Sequence, residues 1–128
     1  MPRCRFVDPT SEIRIALSDD DWIVVRRELS VGQQREMYQA MRRKGSDAID
    51  LSLYPTARAL AYVVRWSFVD YHGAAAPVTA GAIDLLEPST LTEITAAIDA
   101  HDDAVDAEKK RISTGAPDSD RILLSVGS

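Results

Sequence analysis

The sequence predicts an α+β domain, predominantly helical, in which an N-terminal β-hairpin packs on a bundle of about four helices. Three observations carry this expectation. Two apolar stretches of strand character lie close together near the start, a capping-box pattern precedes helically spaced apolar residues, and a seam of apolar residues spaced mostly four and three apart runs toward the end.

The first stretch, Glu12-Ile-Arg-Ile-Ala-Leu17, sets Ile13, Ile15 and Leu17 against polar or small residues, which is the period of a half-buried strand. The second, Trp22-Ile-Val-Val-Arg-Arg27, is rich in aromatic and β-branched residues. Ser18-Asp-Asp-Asp21 between them supplies turn formers, so the pair reads as a hairpin with a four-residue loop. A two-stranded ribbon is marginal alone and must lay its apolar face on something.

Ser30-Val-Gly-Gln33 fits a capping box and predicts a helix from Val31. Val31, Met37, Tyr38 and Met41 share its apolar face, and Arg42, Arg43 and Lys44 suit its negative end, with Gly45 as terminator. Residues 46–52 read as a loop whose Ile49 and Leu51, with Leu53, tuck inward. Pro55 and Thr56 open the next helix, and Ala57 to Val69 is the expected central core helix. Arg58 and Arg65, seven apart, fall on one narrow face that must reach solvent or a carboxylate. Asp70-Tyr-His-Gly73 is a turn. Thr79 caps a short helix carrying Ile83, Leu85 and Leu86, and Thr90-Leu-Thr-Glu93 offers a second capping box.

The last helix is expected from about Pro88 to Ile112, with the seam Leu91, Ile94, Ile98, His101, Val105, Glu108 and Ile112. His101 and Glu108 interrupt the seam, so its first turns should pack on the domain and its later turns project. Residues 1–112 then form one globular domain, and 113–128 a flexible tail holding the short apolar patch Ile122-Leu-Leu124.

Composition narrows the function classes. The chain is 45% hydrophobic and 27% charged, which is ordinary for a globular protein. No leader and no membrane span are expected, since charges are spread through the first 30 residues and no apolar run approaches the length a span requires. Residues 1–70 carry eleven basic and ten acidic side chains and residues 71–128 carry four and ten, so the acidity sits in the second half. Without a basic stripe, nucleic-acid binding is disfavoured. A helix-turn-helix over residues 31–68 fails on its long loop and on a second helix too apolar for a groove.

Catalytic and metal-binding patterns are missing from the sequence. Cys4 is the sole cysteine, so neither a disulfide nor a thiolate cage can form within the chain. His72 and His101 are the only histidines, and no ligating residue stands three or four positions from His101. Asp19, Asp20 and Asp21 lack the alternation, the glycine and the distal glutamate of a calcium loop. Asp99, Asp102, Asp103 and Asp106 read as a solvated helix face. The expectation is a protein without catalytic residues, cofactor or metal, which acts by binding.

Three segments carry a family resemblance: Asp21-Trp-Ile-Val-Val-Arg-Arg-Glu-Leu-Ser30, Arg58-Ala-Leu-Ala-Tyr-Val-Val-Arg-Trp-Ser67, and Leu86-Glu-Pro88 ahead of Ile98-Asp-Ala-His101. In that order, across roughly residues 12–112, the chain resembles the tail assembly chaperones of long-tailed bacteriophages, in the short form of a frameshifted pair. The resemblance implies a protein that binds the tape-measure protein and recruits tail-tube subunits in the host cell cytoplasm, and that is absent from the mature virion. Self-association is compatible with it; nucleic acid and membrane are not implied partners. The alternative from the same kind of genome is a structural virion component such as a head–tail connector or minor tail protein. A small-ligand domain would instead show a pocket around Tyr62 and Trp66. Ile94, Ile98, Val105 and Ile112 are the seam residues assigned to partner binding, with ordinary core packing as the competing role for Ile94 and Ile98.

Overall fold

A computed structural model describes residues 3–114, and side chains up to Arg111. The expected tail therefore lies almost wholly outside the described residues, as does the side chain of Ile112. The chain is α+β, with a three-stranded antiparallel sheet packed on four helices. Strands β1 (Glu12–Ala16) and β2 (Trp22–Arg26) form the expected hairpin. Its loop closes one residue tighter than the sequence suggested, because the Leu17 amide donates to Asp21 O at 2.8 Å. Asp19 and Asp20 take the left-handed conformation there, φ 56° and 64°, which short polar side chains tolerate better than most.

Helix α1 (Val31–Ala40) starts where the capping box puts it. The Gln33 amide donates to Ser30 Oγ at 3.2 Å and the Ser30 amide to Gln33 Oε1 at 2.9 Å. Such a cap stabilises a helix start by about 1 kcal/mol. The helix ends at Ala40, well before Gly45, whose positive φ of 76° serves the following turn instead. That turn is closed by Arg43 N–H to Ala48 O and Asp50 N–H to Met41 O, at 2.8 and 2.7 Å. This backbone pairing leaves Leu51 and Ile49 exposed rather than tucked in, with Leu53 half-buried.

The largest difference from the sequence reading falls on residues 57–69. Helix α2 (Tyr54–Tyr62) stops after nine residues, and β3 (Val63–Trp66) follows with no breaker between them. Val63 turns extended at φ −76°, ψ 121°. Two consecutive β-branched valines favour that change. β3 pairs with β2 through Ile23↔Trp66, Val24↔Arg65 and Val25↔Val63, with a bulge between the last two pairs. The extra residue puts Val63 and Trp66, three apart, on one face of the sheet. Three is also a helical spacing, which is why a continuous helix fits the sequence pattern.

β2 is the middle strand, and Ile23, Val24 and Val25 are all buried. Ile23 and Val25 face the helices with Val63 and Trp66. On the other side Val24 lies in the sheet face that carries Arg14 over the Trp22 ring, 4.3 Å from its centroid, and Arg65 paired with Glu12 at 3.1 Å. The long stems of such side chains cover apolar surface while their charges stay wet.

Helix α3 (Ala80–Asp84) is capped as expected, with the Ala82 amide donating to Thr79 Oγ1 at 3.1 Å. Helix α4 (Pro88–Thr114) takes in Thr90 as a helical residue, so the second capping box does not form. Glu93 reaches across to the hairpin loop instead, accepting from Ser18 N–H at 2.7 Å and Ser18 Oγ at 2.9 Å. The core gathers Ile23, Val25, Leu29, Met37, Met41 and Ile83 around Ile94 and Ile98 of α4.

Candidate functional site

The structure settles where the seam of α4 goes. Ile94 and Ile98 are 0% exposed and Val105 is 7% exposed, so all three face the protein's own core in the single chain. The two polar members of the seam do not make it project. His101 Nε2–H donates to Arg27 O at 2.8 Å, which fixes the proton on that nitrogen because a carbonyl only accepts. Glu108 accepts from Arg27 Nη2 at 2.6 Å, and Lys109 pairs with Glu28. The later turns are thus tied to the segment after β2 by polar contacts, where the earlier turns are held by apolar ones.

A second polar cluster joins α2 to α4. Arg58, with its side chain 11% exposed, donates from Nη2 to Asp102 Oδ2 at 2.7 Å and to Asp99 Oδ1 at 2.9 Å. Its Nη1 donates to Tyr54 Oη at 3.1 Å, and its guanidinium carbon lies 5.2 Å from the Tyr62 ring centroid. Tyr62 Oη–H donates to Asp102 Oδ1 at 2.7 Å, so one carboxylate takes both groups. Burial works against the charge on Arg58, but the hydrogen bond to Asp102 and the neighbouring carboxylates outweigh it and raise its pKa. Arg58 and Arg65 do not share a face after all, since the second belongs to β3 and meets Glu12. Each does find the carboxylate its position requires.

Burial first, and then the bond to Asp102, push the Tyr62 phenol well above its ordinary value near 10. The folded state therefore holds the Tyr62 proton more tightly than the unfolded chain does. Its contribution to stability is complete below about pH 10 and lost progressively above it. Urea titrations between pH 9 and 11.5 are expected to show stability falling on the alkaline side, more steeply than in Tyr62→Phe. Equal slopes for the two proteins would count against this role.

Exposed apolar side chains gather elsewhere, at the end of the domain near the start of α4. Val69 is 61% exposed, Tyr71 99% and Leu85 88%. They border a groove of about 660 Å³ whose floor and walls include Trp66, Phe68 and Leu86. Trp66 Nε1–H donates to Ala76 O at 2.8 Å, and its ring lies 5.0 Å from that of Phe68 at a tilt of 45°. The far wall is a closed loop: Asp70 Oδ1 accepts from the amides of His72 and Ala74, and the Asp70 amide donates to Ala74 O at 2.7 Å. Gly73, at φ 83°, makes that turn possible.

The sequence reading put Leu85 on a short helix together with Ile83 and Leu86, whereas α3 ends at Asp84, with Leu85 as its C-cap and Leu86 beyond it. Ile83 and Leu86, three apart, are turned inward to different degrees, and Leu85 lies off their face. Five residues make α3 too short to cover three large side chains. Tyr62 does not line the groove, which separates it from Trp66. His72 stacks edge-on against Tyr71 at 5.8 Å, and Cys4 is exposed. Among the described residues no group of three or more His, Cys, Asp or Glu could hold a metal ion, and no helix is long and apolar enough to cross a membrane. Comparison with protein-family models, with curated proteins and with solved structures gives no match to the chain.

Proposed function

We propose that the protein is a non-catalytic tail assembly chaperone of a long-tailed bacteriophage, binding the tape-measure protein and recruiting tail-tube subunits in the host cytoplasm. The observation that carries the binding part of this reading is the apolar surface of Val69, Tyr71 and Leu85, left open beside a closed core. Contiguous apolar surface of this kind marks interaction sites. The choice of family is supported by the sequence segments that resemble it. Ile23, Val25, Ala59, Tyr62, Val63, Trp66 and Ile98, which those segments contain, are all buried together. The resemblance thus rests on residues that share one core.

Co-expression with the tape-measure reading frame of the same genome is the direct test. The tape-measure protein should co-purify with this chain, and mass spectrometry of finished particles should not detect it. Presence in purified particles at the copy number of a structural subunit would overturn the reading in favour of a connector or minor tail protein.

A further inference from the structure

We propose that the groove between Trp66, Phe68 and Leu85 docks an amphipathic helix whose apolar face is flanked by lysine or arginine. This rests on the reading of the protein as a chaperone, with the helix belonging to its client. The groove is lined mainly by apolar side chains, with Trp66, Phe68, Val69 and Leu86 among them, and one wall is the Val69 to Ala75 loop, which the Asp70 to Ala74 bond closes on itself. A helix laid in such a groove presents its apolar anchors at i, i+3 or i+4 and i+7. The volume of about 660 Å³ lies within the range that holds a specific ligand surface.

Charge selects the flanks. Residues 66–86, the stretch from which the groove is lined, contain Asp70 and Asp84 and no lysine or arginine. Asp70 lies in the groove lining itself. Acidic surroundings favour basic flanks and speed encounter with them.

Reach works against the chain's own tail as occupant. Leu85 and Leu86 immediately precede α4, whose 27 residues carry Thr114 about 40 Å away. The chain from Thr114 to Leu124, the end of the apolar patch, spans about 33–36 Å only when fully extended, and ordering it so would be costly.

The test uses the full chain carrying Trp22→Phe, which leaves Trp66 as the only tryptophan of the two in the sequence. The probe is a synthetic helical peptide with leucines at i, i+4 and i+7 and lysines on its other faces. Trp66 emission should shift saturably on addition of this peptide. Affinity should fall about tenfold or more when the leucines become glutamine, when the lysines become glutamate, or when Leu85→Ser and Tyr71→Ser are introduced together. Both of these residues are almost fully exposed, so the fold should tolerate the change. Unchanged affinity in any of the three comparisons would overturn the proposal. A shift that grows with protein concentration alone and vanishes in Leu123→Asp would assign the groove to a second copy's tail, and would overturn it too. Peptide binding without capture of the tape-measure protein would refute the chaperone reading and leave the groove's chemistry standing. Capture undiminished by the Leu85→Ser, Tyr71→Ser pair would do the reverse.

Discussion

Ile98→Ala is expected to lower stability by about 3–4 kcal/mol and the melting temperature by about 10–15 °C. Ile98 is 0% exposed and belongs to the core cluster that also holds Ile23 and Trp66 of the sheet. Truncation removes apolar contact and leaves a cavity whose walls belong to different elements, so collapse around it is limited. For a domain with a total stability of about 5–15 kcal/mol, this is a large fraction. Calorimetry or urea unfolding would measure it, and a loss below about 1 kcal/mol would mean that α4 is not anchored where the structure puts it. Ile94, Ile98 and Val105 all report on folding before they report on any partner. Charged replacements there cannot map an interface unless stability is measured alongside.

Arg58→Ala is expected to cost about 3 kcal/mol, through a different mechanism. The substitution removes one of the two donors that Asp102 accepts from, the other being the Tyr62 hydroxyl, and it removes the guanidinium lying against two tyrosine rings. Asp102 then keeps a single neutral donor in a partly buried place, which is a poor setting for a carboxylate. Asp99 matters less, since its side chain is 67% exposed and screened by water. Arg58→Met restores the apolar stem but not the charge, and should recover only part of the loss. Combining Arg58→Met with Asp102→Leu should be less damaging than the two single losses added together, because no unpaired charge remains. Strict additivity in that cycle would show that the pair is not coupled.

Much of the architecture was legible because it is written locally. Alternation in residues 12–17, the reciprocal side-chain bonds of Ser30 and Gln33, and the Thr79 cap are each decided by a few neighbouring residues. The α4 seam was legible for the same reason, since Leu91, Ile94, Ile98 and Val105 repeat on one helix face. What escaped depends on partners distant in sequence. β3 exists because β2 offers it an edge, and the strand preference of Val63 and Val64 is too weak to end a helical pattern without that partner. Glu93 was matched to Thr90, three residues away, whereas its partner Ser18 lies 75 positions distant. The polar seam positions were read as weakening the helix contact because their acceptors and donors, Arg27 O and the Arg27 guanidinium, could not be anticipated. The groove was hidden for a related reason: exposure of Leu85 and Tyr71 follows from the shortness of α3 and the closure of the 69–75 loop, not from composition.

The bulge in β3 gives the molecule a sensitivity to parity. In an unbroken strand, residues separated by an odd number of positions point to opposite sides, so Val63 and Trp66 could not both belong to the core. One supernumerary residue reconciles them. Deleting Val64, the residue that the pairing skips, would set Val63 and Trp66 two positions apart, on one side of a regular strand, and the bulge would no longer be needed. The same core would then be met by a shorter, unbroken β3. A single-residue deletion in the unbulged middle strand β2 would instead send every side chain beyond it to the opposite face.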